Sequence, residues 1–194
     1  MKYKVKNLEG LIVVEFHELN LPEPVVLNYI ENEAYKQPLA NGRRWYGDII
    51  INRDEINVYF NNLIHEVVLP NVVEFDDFKI EYPYGLQFIK NNITVEVSTL
   101  KDEIGWMQPF HYDPRIYILA GSFHLQDSES NGTKFYKTPP ILSDDEPFYI
   151  APSKKNSGAC WINTRNSGHS VSRVTSDRFL YLLNGMWNLN YNNL

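Results

Sequence analysis

The sequence predicts a mainly β domain with flanking helices, built as a sandwich, barrel or jelly roll. Residues 75–194 break into seven or eight short runs rich in β-branched and aromatic residues, separated by turn formers and without intervening helices. Two earlier stretches carry apolar residues at helical spacing and end at prolines. The 194 residues are 43% hydrophobic, enough for one sizeable core.

The elements follow in order. Residues 5–16 are rich in Val, Ile and Leu and run into Leu21-Pro22-Glu23-Pro24, which predicts an edge strand and then a loop. A helix is expected over residues 22–38, with Val25, Val26, Tyr29, Ile30 and Ala34 on one face and Pro38 as its end. A second is expected over residues 54–68: Asp54 is a suitable N-cap, Ile56, Phe60, Leu63, Ile64 and Val67 line one face, and Pro70 stops the run. Strands are expected at residues 78–84, 86–89, 93–100, 116–125, 133–136, 160–163, 169–174 and 179–183. Residues 136–158 hold four prolines and the acidic Asp144-Asp145-Glu146, which predicts a surface insertion with the character of a lid. The whole reads as one domain, residues 1–74 giving helical and edge-strand support and residues 75–194 the β core.

Composition narrows the chemistry. The lone Cys160 forms no internal disulfide and no cysteine cluster exists, so a metal site must come from His, Asp and Glu. A net charge of -6 disfavours nucleic acid as a partner held by bulk electrostatics. Residues 1–16 have a short apolar run but no small-residue cleavage site, and nowhere do about eighteen apolar residues run together, so a cytoplasmic protein is expected.

Five histidines remain. His17 has no companion ligand at a defined offset and reads as a surface residue. His65 lacks the second histidine four residues on that a zinc-protease helix needs, because position 69 is Leu69. His111 and Asp113 stand two apart at the start of a strand-like run, a spacing that places both side chains on one face. His169 opens another such run after the Gly168 turn. Two imidazoles and one carboxylate suit non-haem Fe(II), although a zinc hydrolase uses the same set. Arg178, nine residues after His169 across a turn at residues 175–177, is placed to return beside the histidine strand and fork onto a dicarboxylate. Arg173 shares the parity of His169 and is the alternative.

His111-Tyr112-Asp113, then Asn131-Gly132-Thr133-Lys134-Phe135-Tyr136, then Asn166-Ser167-Gly168-His169-Ser170-Val171 and Arg178 together resemble the Fe(II)/2-oxoglutarate-dependent dioxygenases, in their prolyl-hydroxylase-like branch. The likeness covers residues 106–183. It implies a double-stranded β-helix (a cupin-like jelly roll) whose larger sheet the helices buttress. It implies that His111, Asp113 and His169 bind Fe(II) and that Arg178 binds the far carboxylate of 2-oxoglutarate. Dioxygen is the other co-substrate, and the products include succinate and CO2. A hydroxyl-bearing neighbour of that carboxylate is common in the family; Tyr117 or His124 is offered here, His124 equally as a core residue. Trp106, Gln108 and Tyr112 flank the proposed iron. Asp113 favours hydroxylation over halogenation, since related halogenases lack this carboxylate.

The implied substrate is a prolyl or other residue of a peptide, or a free amino acid. Two alternatives stand beside it: a nucleobase oxidase, needing a basic channel from Arg43, Arg44, Lys154, Lys155 and Arg165, and a non-catalytic jelly-roll binding protein.

Overall fold

A two-residue turn opens the larger sheet. Strands β1 (Lys2–Leu8) and β2 (Leu11–His17) pair antiparallel around Glu9 and Gly10, both with positive φ (52° and 89°). That conformation matches the twist of a tight hairpin, and glycine adopts it without steric cost. The computed structural model describes residues 1–31, 42–49, 51–129, 132–140 and 146–188. The predicted single edge strand over residues 5–16 is therefore two strands. Only β1 lies at an edge, since β2 pairs on its other side with β10 (Ser157–Ile162) and is buried on both faces.

The helix expected over residues 22–38 is corrected. Residues 26–31 form strand β3 (Val26–Glu31), paired antiparallel with β4 (Arg44–Ile49); residues 32–41 lie outside the described residues. Apolar residues at 25, 26, 29 and 30 fit a helical stripe, but the ladder to β4 satisfies this backbone instead.

The second predicted helix is present and longer. Helix α1 (Arg53–Asn62) passes into a π-helical turn (Leu63–Val68) and then α2 (Leu69–Val72), so the helix continues through Pro70. Proline lacks an N–H and its ring crowds the carbonyl four residues back; the wider π turn just before it relieves both. Residues 78–84 and 86–89, expected as strands, are instead the short helices α3 (Asp76–Glu81) and α4 (Leu86–Asn92).

The remaining strands are β5 (Ile93–Asp102), β6 (Gln108–His111), β7 (Tyr117–His124), β8 (Lys134–Phe135), β9 (Tyr149–Ile150), β11 (His169–Val171) and β12 (Arg178–Trp187). One sheet has the order β1-β2-β10-β7-β12-β5-β4-β3 and the other β6-β11-β8-β9, with antiparallel pairing in both. This is the jelly-roll architecture expected. The first 49 residues supply four strands to the larger sheet, a more integral part than the support assigned to residues 1–74. Strand β9, with Tyr149 buried, lies inside the predicted insertion, so this part of residues 136–158 belongs to the smaller sheet. Residues 141–145 of that insertion lie outside the described residues.

Period-two alternation divides the larger sheet between two environments. Ile12, Val14, Phe123, Tyr181 and Leu183 face the helices, where Phe60 of α1 meets Phe123 and Tyr181 edge-on with ring centroids 5.0 and 5.1 Å apart. The opposite parity, Val13, Ala120 and Trp161, packs against Phe135 and Tyr149 of the smaller sheet. The helices thus cover the outer face and leave the inner face for a site. No helix among the described residues is long and apolar enough to cross a membrane.

Candidate metal centre and its cavity

Pairing across the smaller sheet creates the site. His169 on β11 lies opposite His111 on β6, which sets the imidazole centroids 4.3 Å apart. Gly168 permits this approach, because a Cβ there would overlap the Phe110 ring. Asp113 lies just beyond the end of β6, so the chain's turn, not strand alternation, brings its carboxylate to the histidines. Its Oδ1 is 3.8 Å from His111 Nε2 and 3.9 Å from His169 Nε2. One ligand atom from each residue falls within 4.8 Å of the other two.

Hydrogen bonding prepares these atoms for a cation. His111 Nδ1 is 2.9 Å from the Pro109 carbonyl and His169 Nδ1 is 2.8 Å from the Ser167 carbonyl. A carbonyl only accepts, so each Nδ1 carries the proton and each Nε2 keeps its lone pair toward Asp113. Burial lowers the His169 pKa, as does neighbouring His111, while Asp113 opposes the shift, so the ring favours the neutral, ligating form. Trp161 Nε1 donates to Asp113 Oδ2 at 3.1 Å, and Asn163 Nδ2 donates to the carbonyls of Asp113, Pro114 and Tyr117, holding the following loop. Two neutral nitrogens and one carboxylate are a donor set that fits Fe(II) or Zn(II).

An inner cavity of about 250 Å³ leads from this triad to the larger sheet. Arg178 lines the same cavity and is 2% exposed. It does not return beside the histidine strand as its spacing suggested: the turn after β11 carries the chain into the other sheet, where β12 pairs with β5 and β7, and Arg178 faces the triad across the barrel. Arg173 is at the surface, with Nη1 donating to the Gly105 carbonyl at 3.3 Å. Tyr117, Trp106 and Gln108 line the cavity, Trp106 fully buried. His124 is buried beside the Leu180 row of β12, its pKa pushed down to about 3 by burial and the Arg178 charge. Tyr112 belongs to a second, outer groove that also reaches Asp113. His17 stands 3.8 Å from Glu15, away from either cavity lining, and His65 lies in the π-helical turn.

Trp161 and Asp102 were not singled out from sequence, and Arg44 was considered only for a basic channel. Trp161 carries the Asp113 hydrogen bond, and Arg44 and Asp102 form a buried group with Arg178. Arg44 Nε and Nη2 contact the two Asp102 oxygens at 2.6 and 3.0 Å, while Arg178 Nε and Nη2 both reach Asp102 Oδ2 at 2.8 Å. Burial alone would raise the Asp102 pKa; the two arginine charges outweigh it and hold the carboxyl below its usual range.

The supposed basic channel does not assemble. Arg44 is inside the cavity, Arg43 pairs with Glu31 at 2.9 Å, and Lys154–Lys155 and Arg165 flank opposite ends of β10.

No protein-family model matches the sequence, and no curated protein matches it. Solved structures do resemble its fold. The viral collagen prolyl hydroxylase of Paramecium Bursaria Chlorella virus-1, in complex with 2-oxoglutarate, superposes with a TM-score of 0.50 at 12% identity, covering 76% of this chain and 80% of that one. A prolyl-4-hydroxylase of Pseudomonas putida gives 0.52 at 8% identity over 81% and 77%. A Trichoplax adhaerens prolyl hydroxylase, bound to a peptide of the hypoxia inducible factor oxygen degradation domain, gives 0.52 at 11% over 81% and 70%. The architecture is thus that of these hydroxylases.

Proposed function

We propose that the chain is an Fe(II)- and 2-oxoglutarate-dependent dioxygenase that hydroxylates a residue within a peptide. The observation that carries this reading is one cavity lined both by the clustered His111, Asp113 and His169 and by the buried Arg178. At about 30 Å³ per water, the cavity takes roughly eight waters, the scale of a small organic acid. His111, Asp113 and His169 would hold Fe(II), and Arg178 would pair with the far carboxylate of 2-oxoglutarate. The bound metal, with 2-oxoglutarate and dioxygen, supplies the oxidising equivalent, and 2-oxoglutarate leaves as succinate and CO2. The protein's own contribution is positional. Trp161 and the backbone carbonyls of Pro109 and Ser167 orient the ligands.

The outer groove supports a peptide over a free amino acid. It has a volume of about 880 Å³, begins at Asp113 and Tyr112, and continues along Tyr84, Phe88 and Trp187. Tyr84 and Phe88 are half exposed and stacked at 4.8 Å, an aromatic surface of the kind that accepts an extended chain. A cytoplasmic location completes the proposal.

Anaerobic addition of Fe(II) and 2-oxoglutarate is expected to give a weak visible charge-transfer band that the Asp113→Ala variant lacks. A wild-type chain without the band overturns the oxygenase reading. Succinate release stimulated by peptides, and not by proline or single-stranded DNA, is the expected substrate pattern.

A further inference from the structure

The register across three strands places Arg44, Asp102 and Arg178 side by side on the cavity face: Arg44 on β4 pairs with Asp102 on β5, which pairs with Arg178 on β12. All three are buried, Asp102 completely, and the two arginines line the cavity. Two guanidinium groups share one carboxylate, leaving one unbalanced positive charge in the interior. Such a group is costly to bury and adds little to stability compared with apolar packing, so its position on a cavity wall points to an anionic ligand.

Arg44 is held for that task. Its Cζ lies 3.7 Å from the centre of the Trp106 ring, while Arg178 Cζ is 5.7 Å from the same ring. Asp102 engages Nε and Nη2 of both arginines, so the hydrogen bonds to Asp102 leave each Nη1 for other partners. Three polar atoms of the same lining lack partners: Trp106 Nε1, Ser122 Oγ and Gln108 Oε1 are buried without a hydrogen bond. Trp106 Nε1 and Ser122 Oγ can donate to an anion and Gln108 Oε1 can only accept, and such unpaired buried polar atoms around an uncompensated charge mark where a polar ligand completes the structure.

We infer that Arg44 is a second binding residue for the distal carboxylate of 2-oxoglutarate, so that a two-arginine clamp bridged by Asp102, and not Arg178 alone, selects the co-substrate. The inference rests on the oxygenase reading and deepens it. The clamp receives one carboxylate, which neutralises the net charge of the three residues, and it discriminates against 2-oxo acids that end in a methyl group.

The test is anaerobic calorimetric titration of the Fe(II)-loaded chain with 2-oxoglutarate and with 2-oxopentanoate, which has a methyl in place of the distal carboxylate. Arg44→Met should weaken 2-oxoglutarate binding by roughly tenfold to a hundredfold, the worth of a charge-assisted hydrogen bond, and leave 2-oxopentanoate and Fe(II) binding unchanged. Arg178→Met should behave likewise, and Arg173→Met should match the wild type. Arg44→Lys keeps a charge against Asp102 but loses the planar fork, and should still weaken 2-oxoglutarate by about tenfold. That variant decides the matter if Arg44→Met does not fold. Wild-type affinity for 2-oxoglutarate in the Arg44 variants overturns the clamp while leaving the oxygenase reading intact. Equal losses for both ligands also overturn it, since they mean that Arg44 only shapes the cavity. A wild-type chain that binds Fe(II) but not 2-oxoglutarate overturns both.

Discussion

Trp161 and Asp113 come from different parts of the fold and meet at the candidate metal centre, the indole Nε1 donating to carboxylate Oδ2 at 3.1 Å. The bond leaves Oδ1 turned toward both histidine Nε2 atoms. The same indole packs edge-on against His169 at 5.1 Å and against Phe135 at 5.3 Å. One side chain of the larger sheet therefore orients two residues of the smaller sheet's site.

Trp161→Phe separates these contributions. The ring contacts survive in part, whereas the donor to Asp113 is lost. The expected outcome is a tenfold to hundredfold drop in Fe(II) affinity, about the usual effect of removing a partner that orients a metal ligand. The fold should tolerate the change, with a loss near that of one hydrogen bond, about 1 to 3 kcal/mol. Metal titration alongside urea unfolding checks both; unchanged metal affinity would show that the loop held by Asn163 suffices to aim Asp113.

His124 gives the fold a pH dependence. Burial and Arg178 hold its pKa at about 3 in the native chain, against an ordinary value of 6.5. Below about pH 6.5 the unfolded chain takes up a proton that the native chain refuses, so stability falls as pH drops toward 3 and is flat above 6.5 on this account. His169 and His65 are lowered too and steepen the same window, while Asp102, lowered from 3.8, adds its loss only at more acid pH. Between pH 6 and 4.5, His124→Gln should remove up to about 1.4 kcal/mol per pH unit from the slope, one proton's worth. Urea unfolding of the chelator-treated chain measures it. Parallel slopes for the two proteins would mean that His124 is protonated in the native state.

The clustering of His111, Asp113 and His169 was legible because each lies in a short local pattern: His111 and Asp113 two residues apart, His169 after a glycine. The Arg44–Asp102 pair was not. Its members are fifty-eight residues apart and meet only through the β4–β5 register, which no local spacing records. Arg178 was singled out by its distance from His169 and does line the same cavity, but from the other sheet, because the turn changes sheets where a hairpin was expected. Helices α3 and α4 were misread as strands for a related reason. Phe78, Ile80, Phe88 and Ile89 carry β-type side chains, and burial of Phe78 and Ile89 against the sheet and long helix outweighs that weak local preference. The π turn before Pro70 likewise depends on packing: Leu63, Ile64 and Val68 are all in the core.

The outer groove makes the last prediction. Tyr84 and Phe88 stack on one another and approach Trp187 at 5.6 and 6.4 Å, beside a mouth that reaches Asp113. Both are about half exposed, so truncating them takes little from the core. If a peptide lies along this surface, Tyr84→Ala and Phe88→Ala should each raise the peptide KM by roughly fivefold to tenfold, near the ~1 kcal/mol of an aromatic contact. Fe(II) affinity and peptide-free 2-oxoglutarate turnover should not move, because neither residue lines the inner cavity. Steady-state succinate assays with the most stimulating peptide distinguish the cases. An unchanged peptide KM with both residues replaced would place the substrate elsewhere, whereas a fall in peptide-free turnover would mean that the aromatic pair supports the metal site itself.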